Sequence, residues 1–231
     1  MKIKIRAFRA INEYATCLNY KQEHINVLID YGISNVTSSN DQWINNPNMY
    51  CVIAETINEG IMVGGIRVQV SDSEFPLPVE TAVGKMDSRI FNLVEKYRNN
   101  GGVGELCGLW NSKKIAGYGV SVLLVRAGIS ITNQLKFKTM VGICAEYSLN
   151  MFQNVGFVID KSLGNDGDFP YPNDTYKANV LGILNSETLN TANEYDKSRM
   201  LSIRKEPIQT CIEKGPKGEI EINYNLIIPK I

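Results

Sequence analysis

The feature that most constrains the fold is the run over residues 103–157. An apolar segment over residues 103–110 leads to a turn containing Gly117 and Gly119, and an amphipathic helix pattern and a second apolar segment follow. Helix N-termini carry unsatisfied N–H groups and the positive end of the helix dipole, so a glycine turn that leads into a helix binds phosphate without many lysines. The run therefore predicts a strand, a turn and a helix that together hold a pyrophosphate.

Hydrophobic periodicity predicts the elements around this run. Apolar or alternating segments predict strands over residues 2–8, 50–55, 61–70, 103–110, 139–145, 157–160, 178–184, 208–212 and 220–226. Helical spacing predicts helices over residues 11–32, 90–97, 117–131 and 149–154, and a polar helix between an N-cap at Ser186 and Pro207. Residues 33–48 and 160–176 have the composition of loops.

Composition excludes several function classes. Lys plus Arg and Asp plus Glu number 24 each, so no global field draws nucleic acid to the chain. The five cysteines contain no C-x-x-C pair, which argues against a disulfide framework and a zinc site, and we expect reduced, mostly buried thiols. No segment approaches the length of a membrane span, so we expect a cytoplasmic protein.

The chain lacks the residues for nucleophilic triads and shows no metal-ligand pattern. His24 is the only histidine and has no ligand cluster around it, so we expect a surface or helix-capping residue and no bound metal. Asp166, Asp168 and Asp174 do not follow the calcium-loop pattern, and turn chemistry explains them better.

The glycine turn alone is a weak signal, because Gly-x-Gly pairs also serve ordinary tight turns. Val122 leaves the dinucleotide-binding spacing Gly-x-Gly-x-x-Gly incomplete. Lys113 and Lys114 precede the turn, where they either contact phosphate or are plain solvated charges. An unrelated α/β nucleotide-binding protein is an open alternative on these residues.

Two motifs resemble the GNAT superfamily of acyl-CoA N-acyltransferases. Residues 114–119, Lys-Ile-Ala-Gly-Tyr-Gly, are similar to its Arg/Gln-x-x-Gly-x-Gly/Ala signature, and residues 152–157, Phe-Gln-Asn-Val-Gly-Phe, to its aromatic-x-x-x-Gly-Phe motif. Residues 63–67, Val-Gly-Gly-Ile-Arg, look like the end of its third strand. The resemblance implies an α/β (α+β) fold: a mixed, mostly antiparallel twisted sheet, helices on both faces and a splayed pair of central parallel strands.

The resemblance also implies a domain organisation and a reaction. We expect an acyltransferase-like domain over residues 1–184, with a C-terminal helix and β-hairpin over residues 185–231 packed on it. The implied reaction moves an acyl group from acyl-CoA, or from the pantetheine of an acyl carrier protein, to a small-molecule primary amine in a ternary complex. We expect a monomer or homodimer. The alternative is a binding or sensor module of the same fold without turnover.

A subgroup of the superfamily, the autoinducer synthases and long-chain N-acyl amino acid synthases, is similar in one further strand. Residues 105–109, Glu-Leu-Cys-Gly-Leu, resemble its Glu-x-Ser/Thr/Cys-Arg-Phe/Leu pattern, but Gly108 stands where the subgroup has Arg. Phe152 stands where many GNAT enzymes have a Tyr that acts as general acid. The resemblance therefore implies an intact donor site and an unconventional proton-transfer apparatus.

Glu105 is the candidate general base. On an alternating strand it shares a face with Cys107 and Leu109, and a carboxylate in an apolar wall has the raised pKa that a base near neutrality requires. The alternative is a structural carboxylate paired with a nearby Lys or Arg. We interpret Cys107 as a packing residue and not as an acyl carrier.

Other site residues follow from the resemblance. Tyr147 is the candidate substitute acid, and Phe169 and Tyr171 are candidate lids over the acceptor. The candidate donor-binding residues lie on the central strand and the turn: Cys107, Leu109, Trp110, Lys114, Ile115, Ala116, Gly117, Tyr118 and Gly119.

Overall fold

One mixed sheet organises the chain in the computed structural model, which describes residues 1–30, 32 and 41–229. The predicted loop over residues 33–48 lies partly outside the described residues. The strands of the described part are β1 (Lys2–Arg9), β2 (Met49–Thr56), β3 (Met62–Val70), β4 (Val103–Asn111), β5 (Thr139–Ala145), β6 (Val158–Ile159), β7 (Asp168–Pro170), β8 (Lys177–Ile183), β9 (Ile208–Gly215) and β10 (Gly218–Asn225). The helices are α1 (Tyr14–Asp30), α2 (Pro78–Val83), α3 (Arg89–Asn99), α4 (Val120–Ser130), α5 (Thr132–Leu135), α6 (Leu149–Asn154) and α7 (Glu194–Lys205).

The strands follow the order β6-β8-β5-β4-β3-β2-β1-β10-β9, and β7 pairs with β8. Within the described residues, β4 with β5 and β1 with β10 are the parallel pairs, and the other neighbours are antiparallel. This confirms the predicted mixed, mostly antiparallel sheet.

The two central parallel strands separate after a short paired segment. β4 and β5 pair from Val103 opposite Thr139 to Glu105 opposite Val141. Both strands then continue, β4 to its end at residue 111 and β5 to its end at residue 145, but they no longer pair with each other. The predicted splayed pair is therefore present, and Glu105 lies where the strands begin to diverge.

Helices cover both faces of the sheet, as predicted. Successive residues of β2 alternate between two cores: Val52 packs with α4 on one face, and Cys51 packs with α1 on the other. On the α1 face, α2 and α3 cover the part of the sheet that includes Val141 of β5. Among the described residues no helix combines the length and apolar character that a bilayer span needs.

The elements after residue 185 are joined to the rest by a buried ion-pair network. Arg126 of α4 lies 2.5 Å from Asp196 of α7 and 3.2 Å from Glu213 of β9. β10 extends the sheet beside β1 in parallel, with Ile3 opposite Ile222. The α7 helix and the β9–β10 hairpin thus contact α4 and β1, and the predicted division of the chain at residue 185 stays a prediction.

Two local predictions are wrong, each for a packing reason. Ser186 is not the N-cap of the last helix, because it is buried and its hydroxyl donates to the carbonyl of Phe137 at 3.1 Å. The helix begins later, where Asn193 Oδ1 accepts from the amide of Asp196 at 2.8 Å. Phe169 is not a lid, since it is 3 % exposed and belongs to the core beneath α3.

Candidate active site

β4 carries a bulge between Cys107 and Trp110, where two residues, Gly108 and Leu109, face one residue of β3. Gly108 has φ +63°, a left-handed conformation that glycine adopts without strain. A bulge interrupts the ladder and changes which face the following side chains take. Leu109 therefore packs on the α4 face of the sheet, and the prediction that it shares a face with Glu105 and Cys107 is wrong.

Glu105 is fully buried at the base of the splay. Its Oε2 accepts a hydrogen bond from the amide of Val79 in the first turn of α2, at 2.7 Å. Its Oε1 meets no hydrogen-bond partner in the described part of the chain. Burial raises the pKa of Glu105 to about 8; the Val79 hydrogen bond opposes this rise, the charge of Glu80 adds to it, and that of Arg67 opposes it. The raised pKa predicted for this carboxyl is thus present.

A buried cation lies beside the bulge. Arg67 of β3 is 1 % exposed, and its guanidinium lies 4.3 Å from the centre of the Trp43 ring. Tyr20 of α1 makes edge contacts with Trp43 at 5.6 Å and with Trp110 at 5.7 Å. The Tyr20 hydroxyl donates to the carbonyl of Gly108. The bulge is therefore held between α1 and an aromatic cluster that contains an arginine.

Arg67 lies where a side chain at position 108 would begin. A Cβ on Gly108 would be 2.8 Å from both Nε and Nη2 of Arg67. In this chain the guanidinium beside the bulge thus comes from β3, and not from the β4 position where the similar subgroup has Arg. Sequence reasoning gave Arg67 no role, although it ends the segment over residues 63–67 that resembles the family's third strand.

His24 and Cys107 both lie near this cluster as neutral groups. His24 is 5 % exposed in the middle of α1, so the expectation of a surface or capping histidine is wrong. Burial, with the nearby charge of Arg67, lowers the pKa of His24 to about 4. Burial raises the pKa of the Cys107 thiol to about 12, and such a thiol is a poor nucleophile near neutrality.

The predicted glycine turn precedes α4. Gly117 has φ +89° and Gly119 has φ +78°, so both take left-handed conformations that other residues rarely adopt. The amides of Ile115, Ala116 and Tyr118 donate to carbonyls within the turn, at 3.1, 3.2 and 3.3 Å. In the described residues the amides of Gly117 and Gly119 meet no acceptor. These amides and the first turn of α4 are therefore the backbone donors that an anion can reach.

The two lysines before the turn differ in their surroundings. Lys113 forms an ion pair with Asp30 at the end of α1, at 3.1 Å. Lys114 is exposed, and no carboxylate of the described residues lies within ion-pair distance of it. Ile115 is buried in the core beside α4, and so anchors the turn. Lys114 is thus the lysine of this pair whose charge is not balanced by a neighbouring helix.

The structure does not bring Tyr147 close to Glu105. Tyr147 follows the C-terminal end of β5 and is 85 % exposed. Val141 lies opposite Glu105, and four further strand residues, about 13 Å of chain, separate Val141 from the end of β5. Phe152, at the position of the family's usual acid, packs edge-on against Phe157 at 5.4 Å. The candidate base lies at the base of the splay and the candidate acid at its open end.

An apolar groove of about 210 Å³ lies between α3 and the edge of the sheet. Its walls include Ile90, Tyr97, Val141 and Val180, and it lies on the same face of the sheet as Glu105. No group of three His, Cys, Asp or Glu side chains suited to a metal ion occurs within the described residues. The groove suits a nonpolar part of a ligand rather than a phosphate.

The sheet order, the splayed β4 and β5 and the glycine turn before α4 define the GNAT N-acyltransferase fold. Three solved structures are similar: FeeM, an N-acyl amino acid synthase from uncultured soil microbes; BjaI, a CoA-dependent acyl-homoserine lactone synthase solved with SAM and isopentyl-CoA; and ElaA from Escherichia coli. The alignment with FeeM covers 81% of this chain and 99% of FeeM, with a TM-score of 0.59. The alignment with BjaI covers 99% of this chain and 95% of BjaI, with a TM-score of 0.55. The alignment with ElaA covers 78% of this chain and 98% of ElaA, with a TM-score of 0.54. All three structures are 12% identical to this chain in sequence.

No protein-family model and no curated protein matches the sequence. At 12% identity the similar structures show the fold and not the reaction. The mostly antiparallel sheet has the GNAT strand arrangement, so the fold is not that of an unrelated α/β nucleotide-binding protein.

Proposed function

We propose that this chain transfers an acyl group from a CoA thioester to a small-molecule primary amine by direct attack in a ternary complex. The observation that carries the proposal is the opening between β4 and β5 beyond Glu105 and Val141, next to a glycine turn at the start of α4. A thioester arm fits between strands that no longer pair, and its phosphates fit the turn. FeeM and BjaI, which share this fold, are by name a synthase of N-acyl amino acids and a CoA-dependent synthase.

The glycine turn supports the donor part of the proposal. Gly117 and Gly119 offer backbone amides at the N-terminal end of α4, and neither glycine carries a side chain of its own. Lys114 adds a positive charge beside the turn. The remaining donor-site residues, among them Cys107 and Trp110, would contact the pantetheine arm along β4.

Glu105 is the proposed general base. An amine must lose a proton to attack a carbonyl, and a base is most effective when its pKa lies near the working pH. Burial raises the pKa of Glu105 to about 8, and Oε1 is the oxygen left to take the proton because Oε2 binds the amide of Val79. The activity should therefore rise with pH up to about 8. The thiolate leaves from the carbon that the amine attacks, so its acid must reach the same tetrahedral intermediate as Glu105. Tyr147 lies at the open end of the splay and stays a prediction from the sequence, and we propose that water protonates the thiolate.

The first experiment measures turnover with panels of acyl-CoA chain lengths and amines that include amino acids. We expect thiol release together with an N-acyl amine that mass spectrometry detects. Glu105→Gln should lower kcat/KM by about 100-fold or more, within the range of general-base catalysis. Glu80→Gln removes a second buried carboxylate, which binds the amide of Leu77 at 2.7 Å, and leaves the base in place. It should keep most of the turnover, with the rise in activity shifted to lower pH because the charge of Glu80 raises the pKa of Glu105. Equal turnover by Glu105→Gln and the wild type would remove Glu105 from the mechanism.

The same assay separates the possible donors. An acyl carrier protein presents an acyl-pantetheine joined to one phosphate, and acyl-CoA presents a diphosphate and a nucleotide. Faster turnover with acyl-CoA at equal concentration supports CoA as the donor. Turnover with the carrier protein alone would assign the donor to that protein.

A second candidate function is binding of acyl-CoA without turnover. The separation of Glu105 from Tyr147 favours it, because a site without a nearby acid can hold a thioester and not cleave it. Bound ligand stabilises the folded state, so a thermal-shift series of acyl-CoA chain lengths measures binding independently of turnover. A shift with no thiol release under any amine would support this candidate.

A further inference from the structure

The tip of the C-terminal β9–β10 hairpin lies directly on the glycine turn. The amide of Lys217 donates to the carbonyl of Gly117 at 2.9 Å. Gly215 approaches so closely that a Cβ there would lie 2.6 Å from the carbonyl carbon of Tyr118 and 2.8 Å from the carbonyl oxygen of Gly117. Direct backbone contact therefore fixes the hairpin tip against the turn, although the two segments lie about a hundred residues apart in the chain.

The side chain of Lys217 extends across Gly117. A Cβ on Gly117 would meet Cγ, Cδ and Cε of Lys217 at 2.8, 2.9 and 3.1 Å. The aliphatic stem thus occupies the space beside Gly117, and the ammonium group at its end is carried to the edge of the turn. A lysine commonly packs its stem along a surface in this way while its charge stays in water.

The charge of Lys217 is not balanced nearby. No carboxylate of the described residues lies within ion-pair distance of it, whereas Lys113, which precedes the turn, is paired with Asp30. Lys217 and Lys114 therefore approach the turn from two different segments, each with a positive charge that faces solvent.

We propose that Lys217 is a phosphate ligand of the donor site, contributed by the C-terminal hairpin. The inference rests on the proposed function, in which the turn binds the diphosphate of CoA. Lys217 supplies a charge-assisted hydrogen bond from the hairpin, in addition to the charge of Lys114 and the amides of Gly117 and Gly119. The hairpin is then a part of the donor site and not only an extension of the sheet.

Lys217→Met tests the charge separately from the packing, because methionine keeps an aliphatic stem over Gly117. Lys214→Met is the matched control, since Lys214 is an exposed lysine of the same hairpin that lies opposite Glu219. We expect Lys217→Met to weaken CoA binding about tenfold in calorimetry, the size of a charge-assisted hydrogen bond. Lys217→Arg should restore most of the affinity, and Lys214→Met should bind CoA as the wild type does.

Ligands that differ in phosphate content identify the group that Lys217 contacts. The loss in Lys217→Met should appear with CoA and acyl-4′-phosphopantetheine and should be absent with acyl-pantetheine, which has no phosphate. Higher salt should reduce the difference in CoA affinity between Lys217→Met and the wild type. CoA affinity of Lys217→Met within twofold of the wild type would overturn this inference alone. A wild-type protein that binds neither CoA nor acyl-CoA would overturn the proposed donor and this inference together.

Discussion

Arg126 and Arg67 are both buried, but they lie on opposite faces of the sheet in different surroundings. Arg126 on α4 contacts the carboxylates of Asp196 at 2.5 Å and Glu213 at 3.2 Å. Arg67 on β3 lies 4.3 Å from the centre of the Trp43 ring and fills the space beside the glycine of the bulge. One arginine is placed among acids that join three elements, and the other among aromatic rings beside the candidate site.

The difference suggests different roles for the two charges. Glu213 also binds Arg199 at 2.7 Å, so the Arg126 network closes on itself and holds α7 and β9 against α4. The field of Arg67 instead acts on titratable groups of the site: it opposes the rise in the pKa of Glu105 and contributes to the fall in the pKa of His24. We expect the first arginine to matter for stability and the second for activity.

Breaking the ion pair between Arg126 and Asp196 should have the largest effect, a loss of stability. Asp196→Asn keeps the shape of the side chain but leaves Arg126 with one acid fewer, and losing a partner of a buried ion pair costs about 3–5 kcal/mol of unfolding free energy. Urea unfolding monitored by circular dichroism measures it. Glu194→Gln, an exposed change of the same charge in the same helix, is the control and should lie within about 0.5 kcal/mol of the wild type. A loss below about 1 kcal/mol for Asp196→Asn would show that the network does not stabilise the fold.

Replacing the aromatic-packed arginine should give the reverse pattern. Arg67→Met should lower the unfolding free energy less than Asp196→Asn does, because it removes the buried charge instead of leaving it with fewer acids, and methionine keeps an apolar stem beside the Trp43 ring. We expect kcat/KM to fall about 100-fold, as when a preorganised charge near developing negative charge is lost. The rise of kcat/KM with pH that reflects Glu105 should also shift to higher pH, because the charge of Arg67 opposes the rise in the pKa of Glu105. Arg67→Lys keeps the charge, so its kcat/KM should rise at the same pH as that of the wild type. If kcat/KM of Arg67→Met also rises at the wild-type pH, the electrostatic role of Arg67 is contradicted.

Several elements of the fold were predictable from the sequence alone. The strand over residues 139–145 and the helix over residues 149–154 agree with β5 and α6 residue by residue, because their apolar spacing is strong and their ends are well marked. The turn at Gly117 and Gly119 was predicted before a helix, and the structure has the turn there with both glycines in left-handed conformations. Local sequence patterns therefore predicted most of the strands and helices and the glycine turn before α4.

The features that the sequence did not predict depend on contacts between segments that are distant in the chain. The bulge at Gly108 moves Leu109 to the other face, and strict alternation cannot reveal an inserted residue. His24 lies in a polar stretch of α1 and was expected at the surface, yet packing against the Tyr20 ring buries it. Lys217 meets Gly117 only because β10 pairs with β1, a pairing for which the hairpin sequence has no signal.

The smallest predicted effect concerns stability and pH at Glu105. Its folded pKa of about 8 lies above the ordinary value of 4.5, so the folded state holds a proton that the unfolded state releases. The stabilisation that this bound proton contributes is complete below about pH 4.5 and is lost as the pH rises toward 8.

The variant Glu105→Gln lacks this titration and keeps an acceptor for the Val79 amide. Between pH 6 and pH 7 the unfolding free energy of the wild type relative to Glu105→Gln should fall by about 1.4 kcal/mol. Urea unfolding at both pH values measures it, with Glu95→Gln on the surface of α3 as control; parallel pH dependences of wild type and Glu105→Gln would refute a neutral, buried Glu105.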